Sequence, residues 1–198
     1  APDEQAHKYN RGHAILWSGP PLRTGASRLS AQAALAVGAG LVTIIGERAA
    51  LAEHAAHVTA IMLHEVDAAV SAIDDRVTAL AIGPGAGADI ADTICQMLDH
   101  DIPTVLDADA ITAFEGNSTH LFKHLHDHDV MTPHAGEFAR LFPDIAVEDQ
   151  HKAASMAAQR SGAVVLLKGP ETIISASDGR LAVNRHASPW LATAGSGD

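Results

Sequence analysis

The end of the sequence, Gly195-Ser196-Gly197-Asp198, places a carboxylate directly after two glycines. The backbone N–H groups of such a turn converge on one point, because little side-chain bulk surrounds them. They form an anion site, which is strongest where a helix begins immediately afterwards. Asp198 then stands beside the anion as a candidate general base. We predict that Gly195, Gly197 and Asp198 are catalytic, although a plain turn has the same residues, and that a helix follows them in a longer polypeptide.

Four further segments each follow a predicted strand and carry residues suited to ligand binding. In open α/β sheets, ligands bind at the carboxyl edge of the strands. The composition of a single such loop could reflect only the needs of a turn. Four such loops on one edge of the sheet indicate a long ligand-binding groove. The segments are Gly83-Pro84-Gly85-Ala86-Gly87, Asp107-Ala108-Asp109, Thr132-Pro133-His134 and Lys168-Gly169.

The glycine-rich segment 83–87 allows a ligand to approach the backbone at a helix N-terminus, or it is an ordinary strand-to-helix turn. Its glycines do not have the spacing of the Gly-x-Gly-x-x-Gly dinucleotide fingerprint. A Walker-type phosphate loop is also absent from the sequence. These patterns argue against a Rossmann dinucleotide site and a P-loop site.

Two aspartates, Asp107 and Asp109, lie two residues apart and would share a face on an extended chain. They are predicted to orient a ligand hydroxyl, a Mg²⁺-bound water or the groove loops, unless Asp109 only caps the next helix. His134 follows a proline and precedes two small residues, which predicts a ring that projects into the groove. Glu137 is expected to cap the following helix or to pair with a basic groove residue.

The segment Lys168-Gly169-Pro170-Glu171-Thr172 connects a predicted buried strand to a hairpin. Its lysine and its hydroxyl suit the phosphates or the ribose of a nucleotide. A β-turn with a solvated lysine has the same composition, so the segment alone leaves both interpretations open.

Several histidines raise the question of a metal site. They are His54, His57, His120, His124, His126 and His128. Charged residues separate the last four, which is typical of a solvated helix end near residues 118–126. We therefore predict no metal site, and we expect His54 and His57 at the surface.

Apolar segments that alternate with helical patterns predict a doubly wound α/β domain. The strands are predicted at residues 13–18, 41–45, 60–63, 77–82, 104–106, 129–131 and 164–167. Asp178-Gly179 joins two further apolar runs into a hairpin. Residues 1–6 have the composition of a polar linker, so the domain is predicted over residues 7–198, truncated at its C-terminal end.

The composition limits the partners. The chain has 198 residues, a formal charge of −11 and no basic patch, which argues against nucleic acid as a partner. A single cysteine, Cys95, excludes an internal disulfide and fits a reducing cytoplasm. The sequence has no signal peptide and no apolar run of transmembrane length, so we expect no membrane association.

Taken together, ordered motifs from about His7 to the last residue resemble the ADP-dependent NAD(P)H-hydrate dehydratase family, a branch of the ribokinase-like superfamily. The motifs are Thr24-Gly25-Ala26-Ser27-Arg28-Leu29, Gly38-Ala39-Gly40-Leu41-Val42-Thr43, Ile82-Gly83-Pro84-Gly85, Leu106-Asp107-Ala108-Asp109-Ala110, Thr132-Pro133-His134-Ala135-Gly136-Glu137-Phe138, Val165-Leu166-Leu167-Lys168-Gly169 and residues 189–198. The resemblance implies a three-layer α/β/α sandwich with a mostly parallel central sheet. It also implies a hydro-lyase that restores hydrated NADH or NADPH to the working cofactor, with ADP (or ATP) as co-substrate and Mg²⁺ bound through the nucleotide phosphates.

The resemblance also assigns residues and partners. Ala26, Gly85, His134 and Asp198 would contact the hydrated dinucleotide, and residues 168–172 with Gly197 would hold the adenine nucleotide. A fused N-terminal epimerase domain and a homo-oligomer, for example a tetramer, are usual in the family. The segment 17–21 is bulkier than the family's Gly-Gly-Ser, which would alter the hydrate pocket. Two alternatives remain: a small-molecule kinase of the same fold, of hydroxymethylpyrimidine or hydroxyethylthiazole type, and a catalytically silent nucleotide-binding domain.

Overall fold

A nine-stranded sheet organises the chain in a computed structural model, which describes residues 8–193 and 195–197. The strand order is β3-β2-β1-β4-β5-β6-β7-β8-β9. Strands β1 to β7 run parallel, whereas β8 and β9 form an antiparallel hairpin at one edge. The bounds are β1 His13–Trp17, β2 Leu41–Gly46, β3 Met62–Glu65, β4 Ala79–Ile82, β5 Thr104–Leu106, β6 Val130–Met131, β7 Val164–Leu167, β8 Thr172–Ser175 and β9 Leu181–Asn184.

Helices cover both faces of this sheet. They are α1 Gly25–Val37, α2 Arg48–Ala55, α3 Ala91–Leu98, α4 Asp109–Thr112, α5 Ser118–Phe122, α6 Ala135–Leu141 and α7 Gln150–Ser161, with 3₁₀ turns at Lys8–Arg11, Ala69–Ala72 and Pro189–Leu191. Helices α1 and α2 bury Ala31 and Leu51 in a small core against β1 and β2. Helices α3 to α7 contribute to the large core on the other face, which contains Phe114, Phe138 and Phe142. The predicted three-layer α/β/α sandwich with a mostly parallel sheet is therefore confirmed.

Helix α7 shows how the sequence fixes this packing. The Asp149 side chain accepts a hydrogen bond from the Lys152 N–H and caps the first turn. Four alanines at helical spacing are then fully buried, which allows the helix to approach the sheet closely: Ala153, Ala154, Ala157 and Ala158. Gly162 ends the helix at φ 79°, the left-handed conformation that glycine adopts without strain.

The sheet order places a topological switch point between β1 and β4. The connection from β1 leads to β2 on one side, whereas β4 leads to β5 on the other. The carboxyl ends of the two neighbours diverge at this point and leave a crevice. On the face of the sheet that packs against α1, part of the sheet is open to solvent, and Val105 is 41% exposed there. In the part of the chain that the structure describes, no helix combines the length and hydrophobicity that crossing a bilayer requires.

Some predicted boundaries and positions are wrong. The strand predicted at 60–63 lies at Met62–Glu65, and the helix predicted to about residue 126 ends at Phe122. His54 is fully buried rather than at the surface, because its ring packs inward and meets Ser18 across the sheet edge. His57 is exposed, as predicted.

Candidate functional site

The loops after β4 and β5 lie in direct contact at the carboxyl edge. Gly83 has φ 126°, and a Cβ atom at this position would overlap the carbonyl oxygen of Asp107. Only glycine therefore permits this approach of the two loops. Gly85 stands equally close to the loop after β1, because a Cβ on Gly19 would overlap the Gly85 carbonyl oxygen.

A partly buried ion pair joins the loops after β5 and β7. The Lys168 Nζ atom donates to Asp107 Oδ1 at 2.7 Å, and the Asp107 side chain is 7% exposed. The pair thus fixes a positive charge at the carboxyl edge, and the carboxylate that neutralises it is nearly inaccessible to water.

Asp107 and Asp109 do not share a face, contrary to the prediction. Ala108 between them has φ 48° and ψ −114°, and the Ala110 N–H bonds to the Asp107 carbonyl at 3.0 Å. This is a tight turn of type II′ geometry, which usually contains glycine at the Ala108 position. The Asp109 carboxylate accepts from the Gly87 N–H at 2.8 Å and does not cap α4. Both aspartates therefore hold groove loops together, which is one of the roles that the sequence left open.

His134 and Glu137 form a reciprocal cap at the start of α6. The His134 Nδ1 atom accepts from the Gly136 N–H at 2.9 Å, while Glu137 accepts from the His134 N–H at 2.8 Å. The capping role predicted for Glu137 is thus confirmed. The His134 ring is 60% exposed, and its Nε2 atom lies 3.4 Å from Glu137. Because Nδ1 accepts hydrogen bonds, the proton of the neutral ring is on Nε2, on the side of the Glu137 carboxylate.

The loops after β6 and β7 are hydrogen-bonded to each other. The Lys168 N–H donates to the Pro133 carbonyl at 2.8 Å, and His134 and Lys168 form a parallel bridge. This pairing extends the sheet by one residue and places the candidate nucleotide segment, residues 168–172, beside the start of α6. Within that segment Glu171 accepts from Arg185 at 2.8 Å, so its carboxylate is paired.

The C-terminal glycine loop returns to this edge. A Cβ atom on Gly197 would lie 3.7 Å from Lys168 Nζ, within ordinary contact distance. Gly197, Asp107 and Thr132 line one end of a groove of about 280 Å³, whose walls are α1 and the strands β1, β4 and β5. Ala194 and Asp198 lie outside the described residues.

The first turn of α1 carries the other predicted contact, Ala26, at the switch point. A polar network, which the sequence did not reveal, surrounds it. The Thr24 hydroxyl donates to Glu53 at 3.0 Å and accepts from Arg28 at 2.6 Å, and the Leu22 N–H also donates to Glu53. The sequence signal for this network is the segment Thr24-Gly25-Ala26-Ser27-Arg28, because it contains both Thr24 and Arg28.

A second missed pair, Ser18 and His54, lies at the end of β1. The Ser18 hydroxyl donates to the Gly19 carbonyl at 2.7 Å, so His54 Nε2, at 2.8 Å, must donate to Ser18. The other ring nitrogen, Nδ1, is buried, and the described part of the structure provides no hydrogen-bond partner for it. Burial, and then the positive charge of Arg28, lower the pKa of His54 below its usual range. The ring is therefore a neutral donor that holds the loop carrying Gly19.

The arrangement suits a large, anionic ligand. Glycine-rich loops and Lys168 lie at one end of the groove, whose remaining lining is mainly apolar, and Asp107 and Asp109 bind protein groups. Phosphate oxygens are the ligands that the backbone amides of such loops and an ammonium group recognise. Among the described residues, Asp107 is the one carboxylate in the lining of this groove, and it is paired with Lys168.

Comparison with known proteins places the chain among characterised relatives. A family model described as NAD(P)H-hydrate dehydratase matches residues 15–198. The bifunctional NAD(P)H-hydrate repair enzyme of Synechocystis sp. is 35% identical over 201 residues, which cover 97% of this chain and 38% of that protein. The chain thus spans less than half the length of this curated relative.

Solved structures share the fold. A ribokinase-like superfamily protein of Enterococcus faecalis matches with a TM-score of 0.81 and 25% identity, over 100% of this chain and 71% of that chain. An ADP/ATP-dependent NAD(P)H-hydrate dehydratase of Bacillus subtilis, co-crystallised with ATP and Mg²⁺, matches with a TM-score of 0.79 and 24% identity, over 98% of this chain and 71% of that chain.

Proposed function

This chain belongs to the NAD(P)H-hydrate dehydratase family, and we propose that the whole protein is an ADP-dependent dehydratase that repairs hydrated NADH and NADPH. The observation that carries the proposal is the Lys168–Asp107 pair beside Gly197. It brings the candidate nucleotide segment and the C-terminal glycine loop to one point on the edge that also holds Gly83 and Gly85. Phosphoryl transfer needs this combination of alignment and positive charge.

The proposed reaction has two steps. The hydroxyl oxygen of the hydrate attacks the terminal phosphorus of ADP, and AMP leaves; Asp198 accepts the hydroxyl proton. The phosphorylated hydrate then loses phosphate and a ring proton, which restores the reduced nicotinamide. The amides of Gly195 and Gly197 stabilise the transferred phosphoryl group.

The nucleotide is proposed to lie along residues 168–172 and Gly197. Lys168 supplies the ammonium group, and Thr172 a hydroxyl for phosphate or ribose. The hydrate is proposed to contact Ala26, Gly85, His134 and Asp198. Because the His134 ring is 60% exposed and carries its proton on Nε2, we propose that it donates a hydrogen bond to a phosphate or a ribose oxygen. Mg²⁺ is proposed to bind through the phosphates, as the relative co-crystallised with ATP and Mg²⁺ suggests.

We further propose three properties of the whole protein. The relatives are named bifunctional, which supports an additional epimerase domain that interconverts the hydrate epimers. Homo-oligomers are usual in the family, so we propose a homo-oligomer. The substrates are soluble cofactors, which supports a location in the cytoplasm.

The test is an increase in the near-ultraviolet absorbance of reduced nicotinamide when the full-length protein receives NADH hydrate, Mg²⁺ and either ADP or ATP. Asp198→Asn should abolish the increase and leave nucleotide affinity within about threefold, because the general base acts mainly in the transition state. The matched control is Asp178→Asn, in the exposed β8–β9 turn, where the carboxylate accepts hydrogen bonds from the backbone and the side chain of nearby Arg180. This control should retain full turnover.

Two other outcomes separate the alternatives. Phosphorylation of hydroxyethylthiazole or hydroxymethylpyrimidine, with no repair of the hydrate, would identify a kinase of this fold. Nucleotide binding by the full-length protein with neither reaction would identify a silent nucleotide-binding domain.

A further inference from the structure

Three side chains converge at the amino edge of the sheet, opposite the candidate site. Asp101 lies in the turn before β5, and His126 and His128 lie in the turn before β6. The two imidazole rings stack with centroids 5.3 Å apart and an interplanar angle of 6°. We call this set the amino-edge cluster.

The distances within the cluster are those of metal ligands rather than of hydrogen bonds. His126 Nε2 and His128 Nε2 each lie 3.6 Å from the same oxygen, Asp101 Oδ1. This spacing is beyond hydrogen-bond range. It is close to the ~3.4 Å between two ligands that stand about 2.1 Å from a tetrahedral metal ion. The buried Nε2 atom of His128 has no hydrogen-bond partner among the described residues.

The opposite nitrogen of each ring faces a second carboxylate. His126 Nδ1 lies 3.4 Å from Asp129 Oδ2, and His128 Nδ1 lies 3.6 Å from Asp127 Oδ1. These contacts are too long for hydrogen bonds, and the buried Nδ1 atom of His126 has no hydrogen-bond partner among the described residues. A carboxylate on this side of the ring is nevertheless the usual neighbour of a metal-bound histidine. Both rings are thus oriented with Nε2 toward a shared point.

The turn that carries the histidines is held to the sheet. Asp129 is fully buried and accepts from the Thr104 N–H at 2.9 Å and from the His126 N–H at 2.8 Å. These hydrogen bonds link the two turns before any ion binds. A preorganised ligand set loses less conformational entropy on binding than a flexible one.

In contrast to the sequence-based prediction of no metal site at these histidines, we propose that the amino-edge cluster binds a divalent transition-metal ion of the Zn²⁺ class. Two imidazoles and one carboxylate suit Zn²⁺, whereas Mg²⁺ and Ca²⁺ prefer oxygen ligands alone. Asp101 is mostly exposed, so water completes the coordination. The site is separate from the Mg²⁺ proposed for the nucleotide phosphates.

A second group nearby, Cys95, His120 and His124, is the competing location. There the Cys95 Sγ atom lies 3.7 Å from His120 Nε2, and His124 Nδ1 hydrogen-bonds to Asp99 at 2.7 Å. Its buried thiol would have to ionise before it could bind a metal. The amino-edge cluster needs only neutral imidazoles and an ordinary carboxylate, which is why we favour it.

The experiment is a titration of the chelator-treated, full-length protein with Zn²⁺ by calorimetry and with Co²⁺ by absorption spectroscopy. One Zn²⁺ per chain should bind, and the double variant His126→Gln/His128→Gln should weaken binding at least about tenfold. The matched control is His57→Gln/His64→Gln, which removes two exposed histidines elsewhere and should leave the affinity unchanged. Asp101→Asn, at an exposed position, gives the same test without a risk to folding.

Two results would overturn the proposal. One is equal Zn²⁺ affinity, or no stoichiometric uptake, in the wild type, Asp101→Asn and both double variants. The other is a Co²⁺ complex with an intense thiolate-to-metal charge-transfer band that Cys95→Ser removes, because this would place the metal at the competing group. Neither result depends on dehydratase activity.

Discussion

Replacement of Lys168 by methionine is expected to destabilise the folded protein by about 2–3 kcal/mol. The substitution removes a charge-assisted hydrogen bond of 2.7 Å, a class worth about 1.5–3 kcal/mol. It also leaves Asp107, with a side chain only 7% exposed, without its counter-charge. Breaking a fully buried pair costs about 3–5 kcal/mol. Since the Lys168 side chain is 28% exposed, water reaches the pair and lowers the expected cost.

The assay is urea unfolding followed by circular dichroism, applied to a double-mutant cycle. Lys168→Met, Asp107→Asn and the double variant should show a coupling of about 1–2 kcal/mol, because the double variant no longer buries an unpaired charge. The control is Arg185→Met, which breaks a 2.8 Å ion pair with Glu171 whose side chains are 66% and 44% exposed. Exposed pairs contribute about 0–1 kcal/mol.

The double-mutant cycle shows whether the Lys168–Asp107 pair holds the two loops together or is a weak surface contact. If Lys168→Met costs no more than Arg185→Met and the coupling is within error, Lys168 does not hold the loops together. The pair would then be no evidence that the edge is preorganised for phosphate. A large stability loss with unchanged nucleotide affinity would instead limit Lys168 to a positioning role.

Two further predictions concern the same edge. Gly83→Ala should lower the free energy of unfolding in urea by about 3 kcal/mol or more, because the new methyl group overlaps the Asp107 carbonyl. The control is Gly87→Ala, at φ 90° with open space around it, which should lower the free energy of unfolding by only about 1–2 kcal/mol. Equal losses in the two variants would refute the close approach of the loops. Folding lowers the pKa of His54 below its usual value of about 6.5. Between these two pKa values the unfolded chain therefore binds more protons than the folded protein. The free energy of unfolding should then fall as the pH drops from about 7 toward the folded pKa. His54→Gln should reduce this pH dependence, and an unchanged slope would show that Ser18 and His54 do not hold a neutral pair.

The sequence predicted the sheet well because parallel strands buried on both faces are continuous apolar runs. Residues 41–45 and 164–167 are of this kind, and both form strands at nearly the predicted positions. The Asp178-Gly179 turn also joins the predicted hairpin. Once the strands are located, chain order alone brings their carboxyl ends, and the loops after them, to one edge.

The side chains at this edge were harder to predict, because their partners are distant in sequence. The prediction that Asp107 and Asp109 share a face was wrong because Ala108 between them adopts a positive φ, which is uncommon for alanine. The prediction placed His54 at the surface together with His57, yet its ring is buried against Ser18, which lies 36 residues away in the sequence. His134 caps its own helix, a role in which Ser, Thr, Asn and Asp are far more common.

The same two strands carry both proposed sites, one at each end. Strand β5 separates Asp101 from Asp107, and its three residues span about 10 Å. The histidines before β6 are held through Asp129 to Thr104, whereas the loop after β6 is held to Lys168. The two sets of contacts share no side chain, so metal binding at the amino edge can stabilise these strands without rearranging the groove. For this reason the metal titration and the hydrate assay test independent parts of the molecule.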